Sequence, residues 1–138
     1  MDIYSLFKSI TETTGWEPVV SAQGVNTVEL DGVVLEYFSP DGANFVLRAK
    51  IQSLPDDEQE CKDKCAYYAH LNAAMIKFEP NAIVIDENSF FLQAVVLNSE
   101  IDAVDVEELF ENFLNDYDWI KSTQSDSSTS QSNMQFMF

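Results

Sequence analysis

One segment constrains how the rest of this chain can be arranged. Residues 56–78 (DDEQECKDKCAYYAHLNAAMIKF) contain no glycine or proline, and Pro55 and Pro80 bracket them. Proline is tolerated just before a helix and stops one at its end, so this stretch predicts a long central helix. Asp56, Asp57, Glu58 and Glu60 crowd its start, where the helix dipole favours negative charge, and Lys77 stands in its last turn. Cys61, Cys65, Tyr68, Leu71, Met75 and Ile76 recur at helical spacing and define an apolar face. The helix divides the strand-like segments into three before it and two after it.

Ahead of it, residues 2–13 predict a first helix. Ile3, Leu6, Phe7 and Ile10 share a face, Asp2 can cap the start, and Gly15 supplies a left-handed stop. Residues 16–18 form a loop. Residues 25–30 and 33–38 read as two strands joined by Asp31-Gly32, a strong hairpin signal. A second turn at residues 39–42 leads into a third strand over residues 44–53. Phe45, Leu47, Ala49 and Ile51 alternate with Arg48 and Lys50 there, which predicts one buried and one wet face. Val34 and Phe38 share a face with Glu36, so apolar surface is expected on the polar side of the sheet.

Beyond the central helix, residues 82–85 predict a short strand. A turn at residues 86–88 follows, and then residues 90–97 (FFLQAVVL), a strand apolar on nearly both faces. Such a strand must be covered twice, by helices, by a partner chain or by both. Residues 102–120 predict a last helix with Ser99 or Asp102 as cap. Its apolar stripe is Val106, Leu109, Phe110, Phe113, Leu114, Tyr117 and Ile120, and acids fill the rest. The expected organisation is one α+β domain over residues 1–121, with helices packed on a twisted antiparallel sheet in the order helix, three strands, helix, two strands, helix. Residues 122–133 hold no large apolar side chain, so residues 122–138 are expected to be a disordered tail that carries an apolar tag, MQFMF.

The chemistry is bounded by what the chain carries. Its 24 acids against 7 bases give a formal net charge of -17, which repels nucleic acid and anionic membranes. Cys61 and Cys65 are the only cysteines and His70 the only histidine, too few for a zinc site at this spacing. No phosphate loop, HExxH or GxSxG occurs, so neither an enzyme nor a cofactor is expected. The amino-terminal ten residues lack the basic start and apolar core of a secretory signal, and a cytoplasmic protein is expected.

The element order, the size, the acidity and the acidic amphipathic last helix together resemble the class I type III secretion chaperones, the Tir-chaperone family. The features nearest to that family are Leu6, Phe7 and Ile10 in the first helix, the Asp31-Gly32 hairpin and the FFLQAVVL strand. The segment after Lys121 falls outside the family pattern. The resemblance implies a homodimer in the bacterial cytoplasm that binds the amino-terminal region of a secreted effector and keeps it non-folded. Release would then fall to the secretion ATPase. On this reading Leu6, Phe7, Ile10, Val34 and Phe38 are candidate effector contacts. Tyr68, Phe91, Val95 and Leu97 are candidate dimer contacts. The competing expectations are a binding module of the same fold outside secretion and an acidic inhibitor of a basic protein.

Overall fold

The structure, a computed structural model, describes residues 2–75 and 81–129. Helix α1 (Ile3–Thr14) starts at Asp2, whose carboxylate accepts the Ser5 amide at 2.8 Å, and ends at Gly15 with φ of 75°. Both caps fall where the sequence placed them. Strand β1 (Val19–Val20), which the sequence pattern does not predict, follows the 16–18 loop and pairs antiparallel with β2 (Asn26–Leu30). Asp31 and Gly32 both take positive φ, the mirror-image turn that matches strand twist, and lead into β3 (Val33–Phe38). Asp41 then ties the next turn: its carboxylate accepts the Ala43 and Asn44 amides before β4 (Phe45–Ser53) begins.

Helix α2 (Glu58–Met75) begins two residues later than expected, because the Asp57 carboxylate caps it by accepting the Glu60 amide at 2.9 Å. The expected end of this helix, including Ile76 and Lys77, lies outside the described residues. Strands β5 (Asn81–Asp86) and β6 (Ser89–Val96) form a hairpin whose turn residues Glu87 and Asn88 have positive φ. A 3₁₀ turn, Asn98–Ala103, occupies the expected start of the last helix. Helix α3 (Val106–Thr129) is capped by Asp105, which accepts the Glu108 amide, and neither Ser99 nor Asp102 has that role.

Helix α3 also corrects the expected boundary of the tail. Its backbone continues through residues 122–129, part of the segment expected to be disordered. Hydrophobic periodicity ends at Ile120, but polar contacts take over. Lys121 Nζ donates to the Ile51 carbonyl, Tyr67 donates to Thr123, and Gln124 donates to Gln52 and engages the Tyr68 hydroxyl. Residues 130–138, with the MQFMF tag, lie outside the described residues.

The six strands form one antiparallel sheet in the order β1-β2-β3-β4-β6-β5. All three helices contribute to a core on one of its faces. Ile3, Leu6 and Ile10 of α1, Tyr68, Leu71 and Met75 of α2, and Phe110, Phe113 and Ile120 of α3 join Leu35, Tyr37, Leu47, Phe90 and Leu92 from the strands. The fold is α+β with helices packed on the sheet, as the sequence indicated, with one short strand more.

Candidate functional site

The two-residue period of a strand sends alternate side chains to opposite faces. The helix-covered face takes Phe45, Leu47, Ala49 and Ile51 from β4 and Phe90, Leu92, Ala94 and Val96 from β6. Val46 and Phe91 are buried yet stand apart from that core, on the opposite face, where no described helix packs. Pairing aligns Phe38 with Val46 and Val46 with Val95, a row of apolar side chains across β3, β4 and β6. Val95 is 37% exposed in this row, and Leu97 follows beyond the strand at 50%. Val34 stands further along β3 on the same face, 52% exposed.

The next row corrects a second expectation. Alternation along β4 puts Arg48 on a wet face, but it is only 7% exposed. Its guanidinium lies over the Phe91 ring at 4.4 Å and the Phe38 ring at 5.1 Å. Asp86 at 2.9 Å, Glu87 at 3.4 Å and Glu36 at 3.7 Å surround it. Arg48 therefore covers Phe91 and pins the β5–β6 turn to β3. Cation–π contact and charge-assisted hydrogen bonds repay its desolvation, while its Nε makes no hydrogen bond among the described residues.

The nine candidate residues divide between two sides of the sheet. Leu6 and Ile10 are buried in the core, because α1 lies with its Ile3–Leu6–Ile10 stripe inward. Phe7 is half-buried beside Tyr37 and Phe45, at 5.9 and 6.0 Å between ring centres, with exposed Tyr4 edge-on to it. Tyr68 is buried against Phe90 at 4.5 Å, and its hydroxyl donates to Gln52 at 2.7 Å. Burial pushes the Tyr68 phenol up to about 12. Phe91 is buried under Arg48. Val34, Phe38, Phe91 and Val95, assigned in the sequence to two separate surfaces, thus share one face of the sheet. Val46 joins them, on the side of β4 opposite to Phe45 and Leu47.

The sheet's two edges are not equivalent. At the β5 edge, Asn72 of α2 reaches over. Its Nδ2 donates to the Ile83 carbonyl at 2.9 Å, and its Oδ1 accepts the Ile83 amide at 2.6 Å. That side chain occupies the outward-facing main-chain groups of Ile83, one of the pairs at which another strand would dock. At the opposite edge, no described strand pairs with the outer side of β1, where Val19 and Val20 are both exposed.

Among the described residues, no group of three or more His, Cys, Asp or Glu side chains is placed to hold a metal ion. The thiols of Cys61 and Cys65 are half-buried neighbours on α2, and burial together with Cys65 raises the Cys61 thiol. His70 is exposed on the same helix. No described helix is long and apolar enough to cross a membrane. The described surface thus combines one apolar row, an open strand edge at β1 and a chain of net negative charge.

No protein-family model matches this chain, and no curated protein sequence does. Solved structures do resemble it. A chain of the HopA1–SchA chaperone–effector complex aligns with a TM-score of 0.55 and 14% identity, over 86% of this chain and 90% of that one. A chain of the ExsC–ExsE complex aligns with a TM-score of 0.54 and 17% identity, over 85% and 89%. A chain from the structure of the Yersinia pestis type III secretion chaperone SycH with a stable fragment of YscM2 aligns with a TM-score of 0.52 and 14% identity, over 91% and 96%. At this level of identity the likeness is one of fold, and it extends along nearly the whole of each chain.

Proposed function

We propose that this protein is a type III secretion chaperone, which binds the amino-terminal region of a secreted effector and keeps it non-folded in the bacterial cytoplasm. The observation that carries this reading is the shared fold with three chains solved in complexes, one of them named as a type III secretion chaperone. The surface supports it. A sheet face with an apolar row and one open strand edge suit a partner held in extended form, through side-chain anchors and main-chain hydrogen bonds. The chain itself does no chemistry in this account, and release of the effector falls to the secretion ATPase.

The working form is a homodimer. Val95 and Leu97 are the proposed dimer contacts. Phe7, Val34 and Phe38 are the proposed contacts to the effector segment. Leu6, Ile10, Tyr68 and Phe91 act from within the fold, by holding those surfaces in place. Charge substitutions test the division. Val95→Asp should convert a dimer to a monomer by analytical ultracentrifugation, and Val34→Asp should weaken effector capture while the dimer persists. A wild-type chain that sediments as a monomer at micromolar concentration would defeat the dimer assignment.

A further inference from the structure

Between the end of α1, the β2–β3 turn and α3 lies a groove that the surfaces above do not use. Its floor is apolar: Trp16, Leu30, Val106, Phe110 and Leu114. Trp16 is half-buried and meets the Phe110 ring edge-on at 5.1 Å, so the floor has a fixed aromatic wall. Its banks are acidic. Glu107, Glu111 and Asp118 stand on α3, and Asp31 faces them from the β2–β3 turn, all four exposed. No lysine or arginine lines the groove, and among the described residues none pairs with these carboxylates.

We propose that this groove takes a basic amphipathic segment of the bound protein, in which apolar side chains are flanked by lysine or arginine. The inference rests on the binding function above and adds the chemistry of the ligand. Two features of the site point the same way. The apolar floor calls for buried anchors, and Trp16 with Phe110 offers a rigid aromatic surface for one of them. The banks call for cations. Glu107, Glu111 and Asp118 fall within about 40° of one another around α3 and span about 16 Å along its axis, at 1.5 Å per residue. A segment lying along α3 meets negative charge over that whole length and again from Asp31. A neutral or acidic segment would fill the floor but leave the banks unmatched, and complementary charge selects between such partners.

Random peptides displayed on phage and selected against the whole protein test this, with Trp119→Phe as the background so that Trp16 alone reports by fluorescence. Enriched peptides should carry apolar residues with at least two lysines or arginines. They should alter Trp16 emission, and they should bind about tenfold more weakly to the triple variant Glu107→Gln, Glu111→Gln, Asp118→Asn. Their affinity should also fall as salt rises. The substituted positions are exposed, so an unchanged thermal midpoint is expected of the variant; should it unfold, the salt series on the parent protein decides alone. Enrichment of neutral or acidic peptides, or binding indifferent to both the substitutions and salt, overturns the proposal. An effector that co-purifies equally with the parent and the triple variant, without a change at Trp16, overturns the groove and leaves the chaperone reading standing. Failure to find any effector counts against that reading, while the peptide selection still judges the groove.

Discussion

Asn72→Ala probes how the β5 edge is closed. The substitution removes two hydrogen bonds to the main chain of Ile83, at 2.9 and 2.6 Å. Each such bond contributes a net of about 1 kcal/mol, so the loss is about 2 kcal/mol, provided water reaches the vacated groups. Alanine is a better helix former than asparagine in mid-helix by roughly 0.6 kcal/mol, which offsets part of that loss. The expected net destabilisation is about 1.5 kcal/mol, read as a shift of the urea midpoint at constant slope. Hydrogen exchange localises the effect. In an antiparallel pair, alternate residues direct both main-chain groups away from the neighbouring strand. Ile83 directs its groups to Asn72, so its amide should exchange far faster in the variant while that of Val84, facing β6, keeps its protection. Asn72→Asp separates the two bonds: it keeps the acceptor for the Ile83 amide but sets a carboxylate against the Ile83 carbonyl. It should be at least as destabilising as alanine at neutral pH and should recover as the carboxylate protonates. A stability change below about 0.5 kcal/mol, or an Ile83 amide as protected as before, would refute the claim that this side chain seals the edge.

Two further perturbations address the open face and the core. Arg48→Ala should cost about 3 kcal/mol in chemical denaturation, since it uncovers Phe91 and leaves Glu36, Asp86 and Glu87 without their shared cation; added salt should restore part of it. Alkaline titration should expose Tyr68. Its folded pKa is raised to about 12 from 10, so the unfolded chain loses the proton first, and stability falls as pH rises from about 10 to about 12. The full loss amounts to roughly 2–3 kcal/mol. Tyr37 and Tyr117, also raised by burial, act in the same direction, and Tyr68→Phe should flatten the pH dependence measured by denaturation.

What could be read from the chain was what local rules control. The Asp2 cap, the Gly15 stop and the Asp31-Gly32 turn each depend on neighbours a few residues apart, and each was found in place. Helix α2 and strand β3 followed from period and punctuation. Strand β1 did not, because two valines after a proline carry no period; only pairing with β2 makes them a strand. The last turns of α3 were missed for a related reason. Thr123 and Gln124 are held by Tyr67, Tyr68 and Gln52, polar partners more than fifty residues away in sequence. Arg48 shows the limit most plainly. Alternation along β4 gave it the correct side of the sheet and the wrong environment, because Phe38 and Phe91 reach it from two other strands.

The candidate site was legible in the same partial way. The sequence showed that residues 90–97 were apolar on both faces, which required two covers. It could not show that the helices supply one of them and that on the other side Arg48 covers Phe91 while Val95 stays exposed. Nor could it show that Val34 and Phe38 share that side with Phe91 and Val95. Face assignment within one strand is a matter of parity; across strands it needs the register, here Phe38 to Val46 to Val95.

The most direct test of the whole account is to purify the protein from its native host with whatever it holds, identify the partner and map the protected region by limited proteolysis. The account predicts a secreted protein, protected over a stretch in its amino-terminal region that shows no stable tertiary structure while bound. A partner gripped through a folded domain, or a protein that emerges with no secreted partner at all, would contradict it.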